Sequence, residues 1–338
     1  MNDQINYQQK FFKIIAQRKA YDDNMLFEIM KVLNIKKGAA YKRINGETSM
    51  TLEEVLKLAD HFNVSLDSIF RSDKYISFLH PFLYESTGNV DKFLDQFSFF
   101  INPLKDNDKK EQKELSYLAN ELPIFYYFNH TYIFNFLMSV WNHLHWEDAH
   151  LKIIKQPSYE QQAEKFRTET LNNYYGHKVT EVWNSNMLNN LYQQIIFSIT
   201  IRAFKEADYV DRLIDDIDHL IAHLREVCLS GVKSIKGARI EGSELKIYLN
   251  DFGNYLNIVQ YESIYIKSTF IGYDYPQFMV SHNRKFYEFS QNWINKIKKR
   301  SVLISSEGYQ YRELFFIKME NDFKYFKDKV EKLMGIYY

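Results

Sequence analysis

NMLFEIMKVLNIKKGAAYKRINGETSMTLEEVLKLADHFNVSLDSIF, running from Asn24 to Phe70, is the stretch whose spacing decides how the chain begins. Leu26, Ile29, Met30 and Leu33 recur at helical intervals, and Asp22, Asp23 and Asn24 precede them with oxygens able to accept from first-turn amides. That helix should end near Asn34, because asparagine tolerates the left-handed backbone better than most residues that carry a side chain. Ile35 then plugs the angle before a second helix from about Lys37 to Asn45.

On the second helix Ala40 and Ile44 stand four residues apart and face the first helix. Gly38, Lys42 and Asn45 lie opposite them, with Ala39, Tyr41 and Arg43 on the flanks. Small residues at its start allow close approach to a groove, and lysine and asparagine can donate to base edges or phosphates. Lys31, Lys36, Lys37, Lys42 and Arg43 follow one another with no acid between them, a local positive charge in a chain whose formal net charge is zero. Gly46 closes this helix. Thr51 opens the next with Glu53 and Glu54 in its first turn, and Leu52, Val55, Leu56, Ala59 and Phe62 should form its buried stripe. Ser65 caps a last short helix with Leu66, Ile69 and Phe70, while Tyr7, Phe11, Ile14 and Ile15 supply the first, making five.

The segment from about residue 5 to 72 resembles the lambda-repressor-like (Cro/CI, XRE-type) helix-turn-helix family. The turn LNIKK, the helix GAAYKRING and the closing pattern TLEEVLKLADHFNVSLD carry the likeness. It implies a DNA-binding domain over residues 1–72, with Lys36, Lys37, Gly38, Ala39, Tyr41, Lys42, Arg43 and Asn45 toward double-stranded DNA. Three positions depart from the family pattern: Met30 stands where a small residue is usual, Asn34 replaces the turn glycine, and the glutamines that open both helices in several phage repressors are missing.

The remaining residues, 73–338, are expected to form a regulatory or dimerisation domain, helical over 73–230 and β-containing over 231–338. Helices are predicted near Asn89–Ile101, Tyr132–His145, Tyr159–Tyr174, Ser185–Lys205, Tyr209–Leu229, Arg284–Lys299 and Tyr311–Leu333, with an exposed loop at Lys105–Glu114 and a strand at Val302–Ser305. After Gly231 the runs ARIEG, ELKIYLN, YLNIVQY and SIYIKSTFI read as a small antiparallel meander. The expected fold class is therefore mainly α: a five-helix DNA-binding domain followed by a larger, mostly helical domain with that meander near its end.

A single cysteine, Cys228, excludes an internal disulfide and suits a reducing compartment. The first ten residues lack the basic start and apolar run of a signal peptide, so a cytoplasmic location is expected. Leu122 to Trp146 carries no Asp, Glu, Lys or Arg, but Pro123 and several Asn and His residues interrupt it, which favours a buried helix over a membrane span.

No sequence signature names a reaction, and no enzyme activity, cofactor or metal is expected. Asp215, His219 and His223 share a helix face at four-residue spacing, yet the glutamate of an HExxH motif is missing. His143, His145, Glu147, Asp148 and His150 cluster where a helix ends, which the helix dipole accounts for. Cys228 sits in an apolar helix context and reads as a core residue. The basic run Lys296, Lys298, Lys299 and Arg300 either adds phosphate contacts or complements a helix end. The sequence thus points to a sequence-specific transcriptional regulator, a homodimer on DNA, with an unidentified small-molecule or peptide effector. The alternative is a protein-interaction or toxin-neutralising module that binds DNA for autoregulation.

Overall fold

A computed structural model describes residues 6–18, 23–62, 64, 66, 69, 76–80, 114–145, 151–155, 160–235, 238–253, 255–263, 266–274 and 277–337. The chain divides into two compact units, one formed by residues 1–79 with 260–269 and 280–291, the other by 80–259 with 270–279 and 292–338.

In the first unit the helices are α1 (Tyr7–Arg18), α2 (Asp23–Leu33), α3 (Lys37–Ile44) and α4 (Leu52–His61). Their shared core is built by Phe11, Phe12 and Ile15 of α1, Met25, Leu26 and Ile29 of α2, Ala40 and Ile44 of α3, and Leu58 and Ala59 of α4 with Phe62. Of the stripe expected on α4, Val55, Ala59 and Phe62 pack inward, joined by Leu58, whereas Leu52 and Leu56 are 71% and 50% exposed. Both sets have helical spacing, and only the neighbouring helices select between them. On α1, likewise, Phe12 is buried and Tyr7 is exposed. The fifth helix expected from Ser65, the capping residue Asp22 and the helix expected at Asn89–Ile101 lie largely or wholly outside the described residues.

Beyond residue 80 the expectation of a mainly α fold with an antiparallel meander is overturned. The described residues hold, in all, eleven helices and an eight-stranded mixed sheet. Its strands are β1 (Glu114–Leu118), β2 (Lys178–Trp183), β3 (Val232–Ile235), β4 (Ala238–Leu249), β5 (Ile258–Glu262), β6 (Lys267–Asp274), β7 (Gln277–Ser281) and β8 (Val302–Leu303). The order is β3-β4-β2-β1-β5-β6-β7, with β8 on β4. Strand β2 runs parallel to β1 and to β4, pairing Ser116 with Thr180 and Glu181 with Ile247, while β3 and β8 pair antiparallel with β4. ARIEG and nearly all of ELKIYLN therefore belong to the single strand β4, and β1, β2, β3 and β7 lie outside the expected runs.

The reason is physical. Parallel strands are covered on both faces, so they lack the apolar-polar alternation that marks a half-exposed strand. Here β1 buries Leu115, Tyr117 and Leu118, and β2 buries Val179, Glu181, Val182 and Trp183. Each is also short and follows a polar or helical stretch that dominates any reading window.

Between β1 and β2 lie α5 (Ile124–Tyr127), α6 (Thr131–His145) and α7 (Glu160–Tyr175); between β2 and β3 lie α8 (Asn189–Thr200) and α9 (Asp208–Ser230); α10 (Arg284–Lys298) and α11 (Tyr309–Tyr337) close the order. Such helical crossovers are what parallel neighbours require. Helix α6 packs on α9 and α8 on α11. Along α9 the residues Tyr209, Leu213, Ile217, Leu220, Leu224, Val227 and Cys228 are buried, and Gly231 ends it at φ +64° in the left-handed region. Asp216 reaches from α9 to the start of α6, accepting from the amides of Tyr132 (2.6 Å) and Ile133 (3.3 Å). These bonds cap first-turn amides of α6 from a different helix. The uncharged segment is α5 and α6, with Phe134, Phe136, Met138 and Trp141 buried. Among the described residues no helix is long and apolar enough to cross a membrane.

Candidate nucleic-acid interface

The junction of α2 and α3 is set by Asn34. It adopts φ +52°, and the amide of Ile35 donates to the carbonyl of Met30 (3.1 Å), the long bond of a left-handed helix end. Ile35 packs against the small core, and Lys36 in extended conformation (φ −75°, ψ 156°) begins α3. Helix α3 is thus held at its entrance by backbone geometry.

Its exit is held by side chains from α1. The Gln8 amide donates to the carbonyls of Arg43 (2.7 Å) and Thr48 (2.8 Å) and accepts from the amide of Met50 (3.0 Å). Gln9 donates to the carbonyl of Asn45 (2.9 Å). These satisfy carbonyls that a helix end leaves open. Gly46 turns the chain at φ +78°, a conformation that disfavours any side chain.

With both ends fixed, Ala40 and Ile44 are buried and the opposite face is open. Lys36, Lys37, Gly38, Tyr41, Lys42 and Asn45 are exposed and Ala39 is half-buried, so the structure brings the expected residues together on one surface. The Lys37 ammonium stands 5.9 Å from the centre of the Tyr41 ring, and the Asn45 amide donates weakly to Glu47 (3.3 Å). Arg43 is engaged elsewhere. Its guanidinium donates twice to Glu54 Oε1, at 2.7 and 3.1 Å, and both side chains are mostly covered. Glu54 Oε2 meanwhile accepts from the Thr51 amide, and the Thr51 hydroxyl accepts from the Glu54 amide, completing a capping box at the start of α4. The Arg43 guanidinium beside Glu54 holds its carboxyl below the usual carboxylate range. In this arrangement Arg43 braces α3 against α4, while Lys36, Lys37 and Lys42 carry the outward charge. The Thr51-to-Glu54 spacing was visible as a cap; that Glu54 also takes Arg43 depends on how α3 and α4 pack.

The other residues singled out do not converge. Asp215 and His219 are exposed, and His223 Nε2 lies 3.2 Å from the carbonyl of Ser234. Among the described residues no three His, Cys, Asp or Glu side chains are placed to hold a metal. Glu147, Asp148 and His150 lie outside the described residues, as does the side chain of His145. Cys228 is buried, and burial pushes its thiol far up, away from nucleophilic use.

A polar centre that the sequence did not announce lies within the second unit. Glu181, in the middle of β2, is fully buried and accepts from Tyr126 Oη (3.0 Å), Trp183 Nε1 (2.7 Å) and Tyr174 Oη. Lys233 on β3, equally buried, donates to the carbonyls of Tyr174 (3.1 Å) and His177 and lies 4.6 Å from the centre of the Tyr174 ring. Burial raises the Glu181 carboxyl and pushes the Lys233 ammonium down to about 7, each shift opposed by the partner's charge. Such a centre anchors sheet to helices. No known protein family matches the chain, and no curated protein or solved structure matches it either.

Proposed function

We propose that the first unit binds double-stranded DNA through α3 and that the chain is a sequence-specific transcriptional regulator. The observation that carries this reading is the exposed face of α3, with Lys36, Lys37, Lys42, Tyr41 and Asn45 beside the small residue Gly38, above an anchor of Ala40 and Ile44. A rigid helix presenting cations and an amide can enter a major groove, where lysine and asparagine read base edges and further lysines meet phosphate. The likeness of residues 5 to 72 to lambda-repressor-like domains supports the same reading. One such helix makes few base contacts, so two copies act together on half-sites about 34 Å apart.

The experiment is fluorescence-anisotropy binding of the full chain to selected and random duplexes across a salt series. Lys42 projects from the middle of the open face, and Lys42→Ala is expected to cost about 1 to 3 kcal/mol on selected DNA and to relax preference at one or two base pairs. Lys37, at the helix entrance, meets phosphate, so Lys37→Ala weakens all duplexes alike and flattens the salt slope by about one unit. A folded double variant that binds selected DNA as tightly as the parent removes the reading's support. Sedimentation of the complex checks the two-copy arrangement.

Ile44→Ala addresses the scaffold beneath this face. Its side chain is buried between helices, so unfolding free energy should fall by about 2 to 5 kcal/mol, read by urea denaturation. A change below about 1 kcal/mol would mean that α3 is not anchored as described.

A further inference from the structure

Helix α10 carries a polar row where an amphipathic helix would be free to vary. Asn292, Asn295, Lys296 and Lys299 fall at intervals of three, four and seven residues, on the side away from Ile294 and Ile297, which pack toward Leu118, Val182 and Tyr255. Together with Lys298 and with Tyr248 of β4 they line an open cleft of about 730 Å³. The size suits a ligand of a few hundred daltons.

Charge narrows the chemistry. Among the described residues no carboxylate lines the cleft and none pairs with Lys296, Lys298 or Lys299. The nearby Lys246 is already taken by Glu244 at 2.9 Å, and Glu244 also lies 3.7 Å from Lys178. Lys298 is half-buried, and burial holds its ammonium below the usual lysine range, with Glu114 partly offsetting this and Lys246 adding to it. Three neighbouring ammonium groups without an ion-pair partner among the described residues, one of them partly desolvated, favour a multiply charged anion. Asn292 and Asn295 offer both donors and acceptors, the complement of a heterocycle's edge, and the Tyr248 ring offers a face for stacking.

We infer that this cleft binds a nucleoside polyphosphate, its phosphates held by Lys296, Lys298 and Lys299 and its base met by Asn292, Asn295 and Tyr248. The site is independent of the proposed DNA reading, since its residues belong to the second unit.

Isothermal titration calorimetry of the full chain without DNA tests this, using ATP, GTP, inorganic tripolyphosphate and a single-stranded oligonucleotide. One nucleotide is expected per chain. Lys296→Ala with Lys299→Ala should weaken it about tenfold or more, and Tyr248→Ala should weaken the nucleotide while leaving tripolyphosphate unchanged. The lysines changed are exposed, and Lys299→Glu alone serves if the double variant fails to fold. No binding of either nucleotide overturns the inference. So does tripolyphosphate binding as tightly as ATP, or binding of the oligonucleotide alone, which would make the cleft a strand-backbone contact. Nucleotide affinity that falls in the Lys37→Ala and Lys42→Ala double variant, and not in the cleft variants, also overturns it.

Discussion

Glu181→Leu is expected to lower the unfolding free energy by about 3 to 5 kcal/mol, the range for removing one side of a buried charged network. Three donors, the hydroxyls of Tyr126 and Tyr174 and the indole of Trp183, lose their acceptor at once. Lys233 loses the opposing charge of Glu181 while remaining fully buried. Glu181→Gln should cost less, since one oxygen remains, although its amide nitrogen would face donors rather than acceptors. Combining Glu181→Leu with Lys233→Met should recover part of the loss, because an apolar pair leaves no charge stranded. Guanidinium denaturation of the three variants measures this. A loss under about 1 kcal/mol for Glu181→Leu would show that the centre contributes little.

The second large effect is a dependence on pH. His130 is only 9% exposed, its Nε2 has no hydrogen-bond partner among the described residues, and burial together with the charges of His223, His219 and Arg167 lowers it from 6.5 to about 3. His223, 6.1 Å away ring to ring, is lowered by burial as well. A base whose folded value is depressed binds more protons when unfolded, so stability is complete above about pH 6.5 and falls as pH drops toward the folded value. For His130 alone the loss is about 2 kcal/mol by about pH 5. Asp216, raised by burial, works in the opposite direction, being favoured by protonation in the folded chain. Comparing His130→Leu with the parent by urea denaturation from about pH 7 to about pH 5 cancels that contribution. The parent should lose stability the faster on acidification. Parallel curves would mean that His130 is solvated or paired.

What was legible in the sequence follows range. Asn34 in the left-handed region, the Thr51 cap and the end of α9 at Gly231 depend on a few adjacent residues, and each stands where its local chemistry places it. The exposed members of α3 were legible for the same reason, since a helix with one small apolar face has one opposite face. Leu52 and Leu56 were misassigned because two stripes of α4 are equally helical and only packing decides between them. Strands β1 and β2 escaped notice because a strand buried on both faces shows no alternation, and nothing adjacent to Glu181 in the sequence marks it as buried. Arg43 shows the same limit at the candidate interface: its neighbours in sequence are basic, and its partner Glu54 is on the next helix.

The sheet's connectivity also sets an order of assembly. Glu114 pairs with Lys178, and Val179 pairs with Leu245, so the two parallel ladders join segments separated by three and by two described helices respectively. The bundle of α1 to α4 closes contacts within a short span and can form as soon as it leaves the ribosome. Strand β2 has to wait. Until residues near Leu249 are synthesised, its edge toward β4 is an open ladder of unpaired amides and carbonyls, and Glu181 lacks the balancing charge of Lys233. A chain truncated shortly after α9 is therefore expected to aggregate, whereas one that includes β4 has its ladder closed.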